Sequence, residues 1–169
     1  MSRAFVKEGS GELDPLPDLP VSPHPNHVTP RGLAALRRRL ADRQADLAAL
    51  RARADRLDRL PEAAAERDIR YLEARLRSAI LVEPPETLEE VAFGLAVTVR
   101  DKAGTETRWE ITGEDEADAT LNRIAPHSPL ARALLGAAPG DEVAWRRPAG
   151  TIHLEIVKIA HVADADPPA

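Results

Sequence analysis

Apolar residues between positions 33 and 57 recur in alternating steps of three and four: Leu33, Leu36, Leu40, Leu47, Leu50, Ala54 and Leu57, with Arg43 filling the one seam position that is not apolar. That spacing holds a stripe on one side of an α-helix and predicts burial against a second helix. Thr29 followed by Pro30 predicts the helix start, because a hydroxyl can accept from a free amide and a proline at the first helical position gives up no needed donor. A helix of roughly 30 residues, at 1.5 Å each, would reach about 45 Å. Ala65, Ile69, Leu72, Leu76, Ala79 and Ile80 form a second stripe, and Pro61 with Glu62 suits its N-terminus. So few residues near 58–62 separate the stripes that the helices must fold back as an antiparallel hairpin, or coiled coil, over residues 30–82.

The period changes after "VEPPE" (82–86), whose paired prolines cannot continue a helix. "VAFGLAVTV" and "TRWEITG" flank a "DKAG" turn, "DEVAWRR" and "TIHLEIVKI" flank "PAG", and both pairs alternate as β-hairpins do. Between them lie an acidic loop, "GEDEADAT", and the short segment "SPLARALLG" (128–136), which reads as a helix capped by Ser128, opened by Pro129 and closed by Gly136. The fold class is therefore α+β: an N-terminal helical hairpin, then a small antiparallel sheet domain with one helix over residues 87–161. Residues 1–29, rich in proline and acidic side chains and without a period, predict a disordered or loosely docked arm, and residues 162–169 a disordered tail.

Aromatic residues make up only 3% of the chain, so the helices must pack through Leu and Ala. The absence of cysteine excludes disulfides, thiolate zinc sites and cysteine nucleophiles, and fits a reducing, cytoplasmic setting. No apolar run approaches the roughly 20 residues that span a bilayer, so no membrane partner is expected. The net charge of −5 is unevenly spread. Residues 31–60 hold nine Arg against four Asp, whereas residues 84–169 hold fifteen acidic against eight basic side chains. The acidic half would repel phosphate, which excludes nucleic-acid binding there.

No phosphate-binding loop, dinucleotide fingerprint or nucleophile elbow occurs. His24 and His27 are close in sequence but lack a third metal ligand. Glu114, Asp115, Glu116 and Asp118 lack the ligand spacing of a calcium loop and read as a solvated turn. At the hairpin tip, Asp55, Asp58, Glu62 and Glu66 cluster near the bend. They are either ion-pair partners of neighbouring arginines or a pair able to share a magnesium ion.

The order of elements, together with "VAFGLAVTVRDKAGTETRWEITGEDEAD", "APHSPLARALLGAAPGDEVAWRRPAG" and "LEIVKI", resembles the bacterial GreA/GreB family of transcription elongation factors, and "YLEARLRSAILVE" is similar to the end of that family's second coiled-coil helix. The similarity covers roughly residues 30–160, and the first 29 residues have no counterpart in typical members. The resemblance implies an FKBP-like C-terminal domain that docks on RNA polymerase and a coiled coil that enters the secondary channel, meeting nascent RNA or DNA only through the polymerase. It places the docking surface on Ser128 and Pro129 with neighbours Leu130 and Arg132.

The tip departs from the family. Cleavage factors carry Gly-Asp-x-x-Glu-Asn-Ala-Glu-Tyr there, whereas this chain has "DRLDRLPEAAAERD", so no catalytic residue is carried over. The expectation is a monomeric polymerase-binding regulator of elongation that is not an enzyme and has no cofactor of its own. Two alternatives stay open: transcript cleavage with a substitute magnesium-holding pair from Asp55, Asp58, Glu62 or Glu66, the ion being shared with the polymerase active site, or a coiled-coil adaptor that acts without polymerase.

Overall fold

The computed structural model of the protein describes residues 15–55 and 58–162. The fold is α+β, a two-helix hairpin joined to a sheet domain. Helix α1 (Pro30–Arg51) starts as its sequence dictates: Thr29 Oγ1 accepts from the Gly32 amide at 2.9 Å, with Pro30 in the first turn. It ends after 22 residues, about 33 Å, and not after 30. The remainder of the expected helix is spent on the bend, because Pro61 belongs to the first turn of α2 (Leu60–Ser78) and Asp58 accepts from the Leu60 amide at 3.0 Å. Leu57, a predicted seam residue, lies outside the described residues.

The helices pack antiparallel, and their tightest apolar contact is at the base, where Leu36 and Leu72 are 1% and 2% exposed and Leu33, Leu40 and Leu76 flank them. Toward the tip the seam is thinner, held by Leu47, Ala63 and Ala65. Arg43 interrupts the stripe without being left unpaired, since it reaches across the hairpin to Asp68 at 3.0 Å and along its own helix to Asp46 at 3.1 Å.

Of the two expectations for the arm, disordered or docked, residues 15–29 take the second: His27–Val28 forms strand β1, paired in parallel with β2 (Ile80–Leu81), and Asn26 and Val28 are buried. Lack of a local period left this stretch unreadable, because its order comes from anchors far away in the chain. The parts of the predicted arm and tail at 1–14 and 163–169 lie outside the described residues.

The sheet domain has strands β3 (Leu95–Asp101), β4 (Glu106–Ile111), β5 (Arg123–Ile124), β6 (Glu142–Arg147) and β7 (Gly150–His161), in the order β5-β4-β3-β7-β6. Both predicted hairpins are present, as β3–β4 and β6–β7. The sheet is mixed, however, and not purely antiparallel. After β4 the chain turns back through two short 3-10 turns (Glu114–Glu116 and Ala119–Leu121), so β5 returns alongside β4 in the same direction. Leu95, Val97, Val99, Ile111, Leu154, Ile156 and Ile159 form the buried face, covered by Leu130, Ala131 and Leu134 of helix α3 (Pro129–Leu134). Among the described residues no helix is long and apolar enough to cross a membrane.

Candidate functional site

Three places could carry function: α3, the tip, and the joint between hairpin and sheet. Helix α3 has six residues; Ser128 Oγ accepts from the Ala131 amide at 3.3 Å, and Pro129 occupies the first turn. Its far end is tied down by the Gly136 amide, which donates to the Val91 carbonyl at 2.8 Å, with Gly136 at φ +80° where a side chain would be strained. Of the predicted docking residues, Pro129 and Arg132 are exposed and Ser128 is half-buried. Leu130 corrects the expectation: at 3% exposure it belongs to the sheet core and cannot face a partner. Leu135, 37% exposed, takes its place as the apolar residue on the outer surface of this segment.

The tip carboxylates go separate ways. Glu62 is 3% exposed, inside the first turn of α2. Glu66 accepts from Arg51 at 2.7 Å, tying the two helices together near the bend. Asp58 is occupied by the Leu60 amide, and Asp55 is exposed. Among the described residues no group of three or more His, Asp or Glu side chains is placed to hold a metal ion. His24 and His27 also part company, His24 stacking on His127 with ring centroids 4.2 Å apart and His27 meeting Phe93 edge-on.

The joint is the most highly organised of the three, and here the acidic "GEDE" turn corrects another expectation. It is not solvated: it is the socket into which the hairpin is seated. Arg75, 1% exposed, donates from Nε to Asp115 at 2.6 Å and from Nη2 to Glu114 at 3.2 Å and to Asn26 Oδ1 at 2.6 Å. Tyr71 donates its hydroxyl to the same Asp115 at 2.8 Å. Burial pushes the Tyr71 phenol up, and the hydrogen bond it gives to a carboxylate raises it further.

At the start of α1, Arg31 forms a second fork, from Nε to Glu116 at 3.3 Å and from Nη2 to Glu110 at 3.1 Å. Its Nη1 is buried with no hydrogen-bond partner, and the side chain lines a cavity of about 270 Å³ with Thr29, Pro84 and Thr112, roomy enough for a water molecule to satisfy it. Burial pushes Glu110 up, yet the hydrogen bonds and charges of Arg31 and Arg108 outweigh it and hold the carboxyl below its usual range. Glu116 also accepts from the Thr29 hydroxyl at 2.7 Å, so one carboxylate joins the cap of α1 to the sheet domain.

Two glycines make this approach possible. A Cβ on Gly32 would run into the Glu116 carboxylate, and one on Gly113 would come within 2.7 Å of the His27 carbonyl oxygen. Sequence reasoning missed Arg75, Arg31, Asn26 and Tyr71. A signal existed for Arg75, which falls three residues after Leu72 on the apolar stripe, where a charge must find a partner or be expelled.

Residues 85–161 match the family model described as "Transcription elongation factor, GreA/GreB, C-term". The chain is 38% identical over 99 residues to the transcription elongation factor GreB of Neisseria meningitidis serogroup B, and 36% identical over 99 residues to the transcription elongation factor GreA of a Psychrobacter strain. Each match covers 57% of this chain but only 61% and 63% of the two relatives, less than two thirds of their length. Among solved structures, GreA factor homolog 1 of Thermus thermophilus is 25% identical, with 81% of this chain and 99% of that one covered at a TM-score of 0.40. Residues 85–161, which carry α3, the mixed sheet and the acidic socket, are therefore similar to the C-terminal domain of the GreA/GreB transcription elongation factors.

Proposed function

We propose that this protein binds RNA polymerase and regulates transcription elongation as a cytoplasmic monomer, its sheet domain docking through the Ser128–Gly136 segment and its helical hairpin directed into the secondary channel. The observation that carries the reading is the joint. A factor that grips at one end and probes with the other needs a stiff connection, and Arg75 supplies one by binding Glu114 and Asp115 from a position 1% exposed. The likeness adds support, since the family model that matches residues 85–161 and the relatives matched over 99 residues are named as transcription elongation factors. Action as a monomer is supported by the seam, whose Leu36 and Leu72 are used up within one chain.

The protein acts without an active site of its own. A buried Glu62 and a Glu66 already paired with Arg51 favour occupancy of the channel over delivery of a metal ion. The exposed Pro129 and Arg132 form the docking contact, presented at a fixed angle by the Ser128 cap. Pull-down with core RNA polymerase tests the reading. The full chain is retained, and Pro129→Glu with Arg132→Glu weakens retention by about tenfold or more, as expected for anchors near the centre of an interface. Failure of the folded wild-type chain to bind core polymerase would overturn it.

A further inference from the structure

We infer that residues 15–26 are a strap that fixes the direction of the hairpin relative to the docking helix. The strap is fastened at three levels. Halfway along α2, Arg70 donates to Asp18 at 2.6 Å and to the Leu16 carbonyl at 2.8 Å. At the socket, the Ser22 hydroxyl donates to Glu114 at 2.7 Å, the carboxylate whose other oxygen receives Arg75. Beside the docking helix, His24 stacks on His127, the residue before the Ser128 cap, and His127 itself meets Glu114 at 3.2 Å. The lower end is sealed in the joint. Asn26, 4% exposed, donates to the Arg75 carbonyl at 2.8 Å and to Ser78 at 3.1 Å, and accepts from the Arg75 guanidinium.

The composition suits this work. Prolines at 15, 17, 20, 23 and 25 alternate with the residues that make the contacts. Each proline fixes φ and removes a backbone donor, so the segment gives up little conformational freedom on docking and leaves few amides to satisfy outside a sheet. No single fastening is strong: Asp18 is 75% exposed, and such a pair contributes little alone. Their effect is geometric, because one short, stiff segment touches the middle of the hairpin, the socket and the entry to α3, and tilting the hairpin must break several contacts together. The consequence for transcription rests on the function proposed above; the strap itself does not.

The test uses the full chain, whose lack of cysteine lets Ala49→Cys and Ala103→Cys, both at exposed positions on α1 and in the β3–β4 turn, carry two spin labels without background. Dipolar spectroscopy gives the distribution of distances between hairpin and sheet. Asp18→Ala, Ser22→Ala and His24→Ala together, all changes on the strap and none on the helices, should broaden that distribution about twofold, since domains without a large apolar interface move by default. Pro17→Gly, Pro20→Gly and Pro23→Gly, which keep every contacting side chain, should broaden it too, with helical content by circular dichroism unchanged. A distribution of wild-type width in both variants overturns the strap. Pull-down separates the two readings: wild-type failure to bind polymerase removes the transcription proposal and leaves the strap untouched. Where binding holds, the triple-alanine variant should keep its hold on polymerase but lose at least half of its effect on elongation rate.

Discussion

Replacing Arg75 by Met removes the charge from the joint while keeping most of its volume. The guanidinium is 1% exposed and serves Asp115, Glu114 and Asn26. Its loss leaves two carboxylates whose side chains are only 9% and 18% exposed facing a thioether. Removing one partner of a buried pair costs about 3–5 kcal/mol. The lower end applies here, because Asp115 keeps Tyr71 and Glu114 keeps Ser22 and His127. With a urea slope of about 2 kcal/mol per molar, a loss of about 3 kcal/mol lowers the midpoint by about 1.5 M. Two probes read different parts of the molecule: both tryptophans, Trp109 and Trp145, lie in the sheet, whereas far-ultraviolet circular dichroism reports mainly α1 and α2. In the wild type the two transitions should coincide, and in R75M the helical one should come first. Adding Asp115→Asn should recover part of the loss by removing one unpaired charge. A loss below about 1 kcal/mol, or coincident transitions in R75M, would refute the claim that this guanidinium holds the joint.

Gly113→Ala should cost about 1–3 kcal/mol, measured as a fall in Tm, because its Cβ meets the His27 carbonyl oxygen, a backbone atom that cannot swing aside. The carboxyl of Glu110 is held below its ordinary value of 4.5, so its stabilisation is present above that value and is lost as pH falls through the folded pKa. Glu110→Gln should therefore flatten the acid limb of stability against pH below 4.5. Tyr71, the single tyrosine, has a phenol raised above 10.0, so stability is present below that pH and declines as pH rises beyond it; its phenolate absorbance should appear later in the folded chain than in urea. Leu130→Glu should cost about 4 kcal/mol or more by placing an unpaired charge in the sheet core, whereas Pro129→Glu should leave the urea midpoint unchanged.

The seam was legible because periodicity is a local signal: Leu33, Leu36, Leu40, Leu47 and Leu72 each announce a helical face, and the structure places them on it. The β-hairpins were legible for the same reason, from alternation on either side of "DKAG" and "PAG". Helix length was not, because where α1 stops depends on how many residues the bend consumes. Leu130 was misjudged as a surface residue although its spacing to Leu134 marks one buried face of a short helix. The parallel pairing of β5 follows from the path of the acidic turn, and no two-residue strand carries a period. The strap and the socket were illegible for a deeper reason: Ser22 and Glu114 are separated by 92 positions, and nothing near either names the other.

The uneven charge of the chain takes its meaning from that socket. Glu110, Glu114, Asp115 and Glu116 belong to the acidic half, and at one corner of a sheet they would repel one another. Two guanidinium forks from the helices offset that repulsion, Arg31 for Glu110 and Glu116, Arg75 for Glu114 and Asp115. The corner is thus least costly when the hairpin is seated, which couples the two parts without an extensive apolar interface between them. Apolar seams set the shape of each part, but they specify no angle between parts, whereas a fork that must meet two fixed carboxylates does.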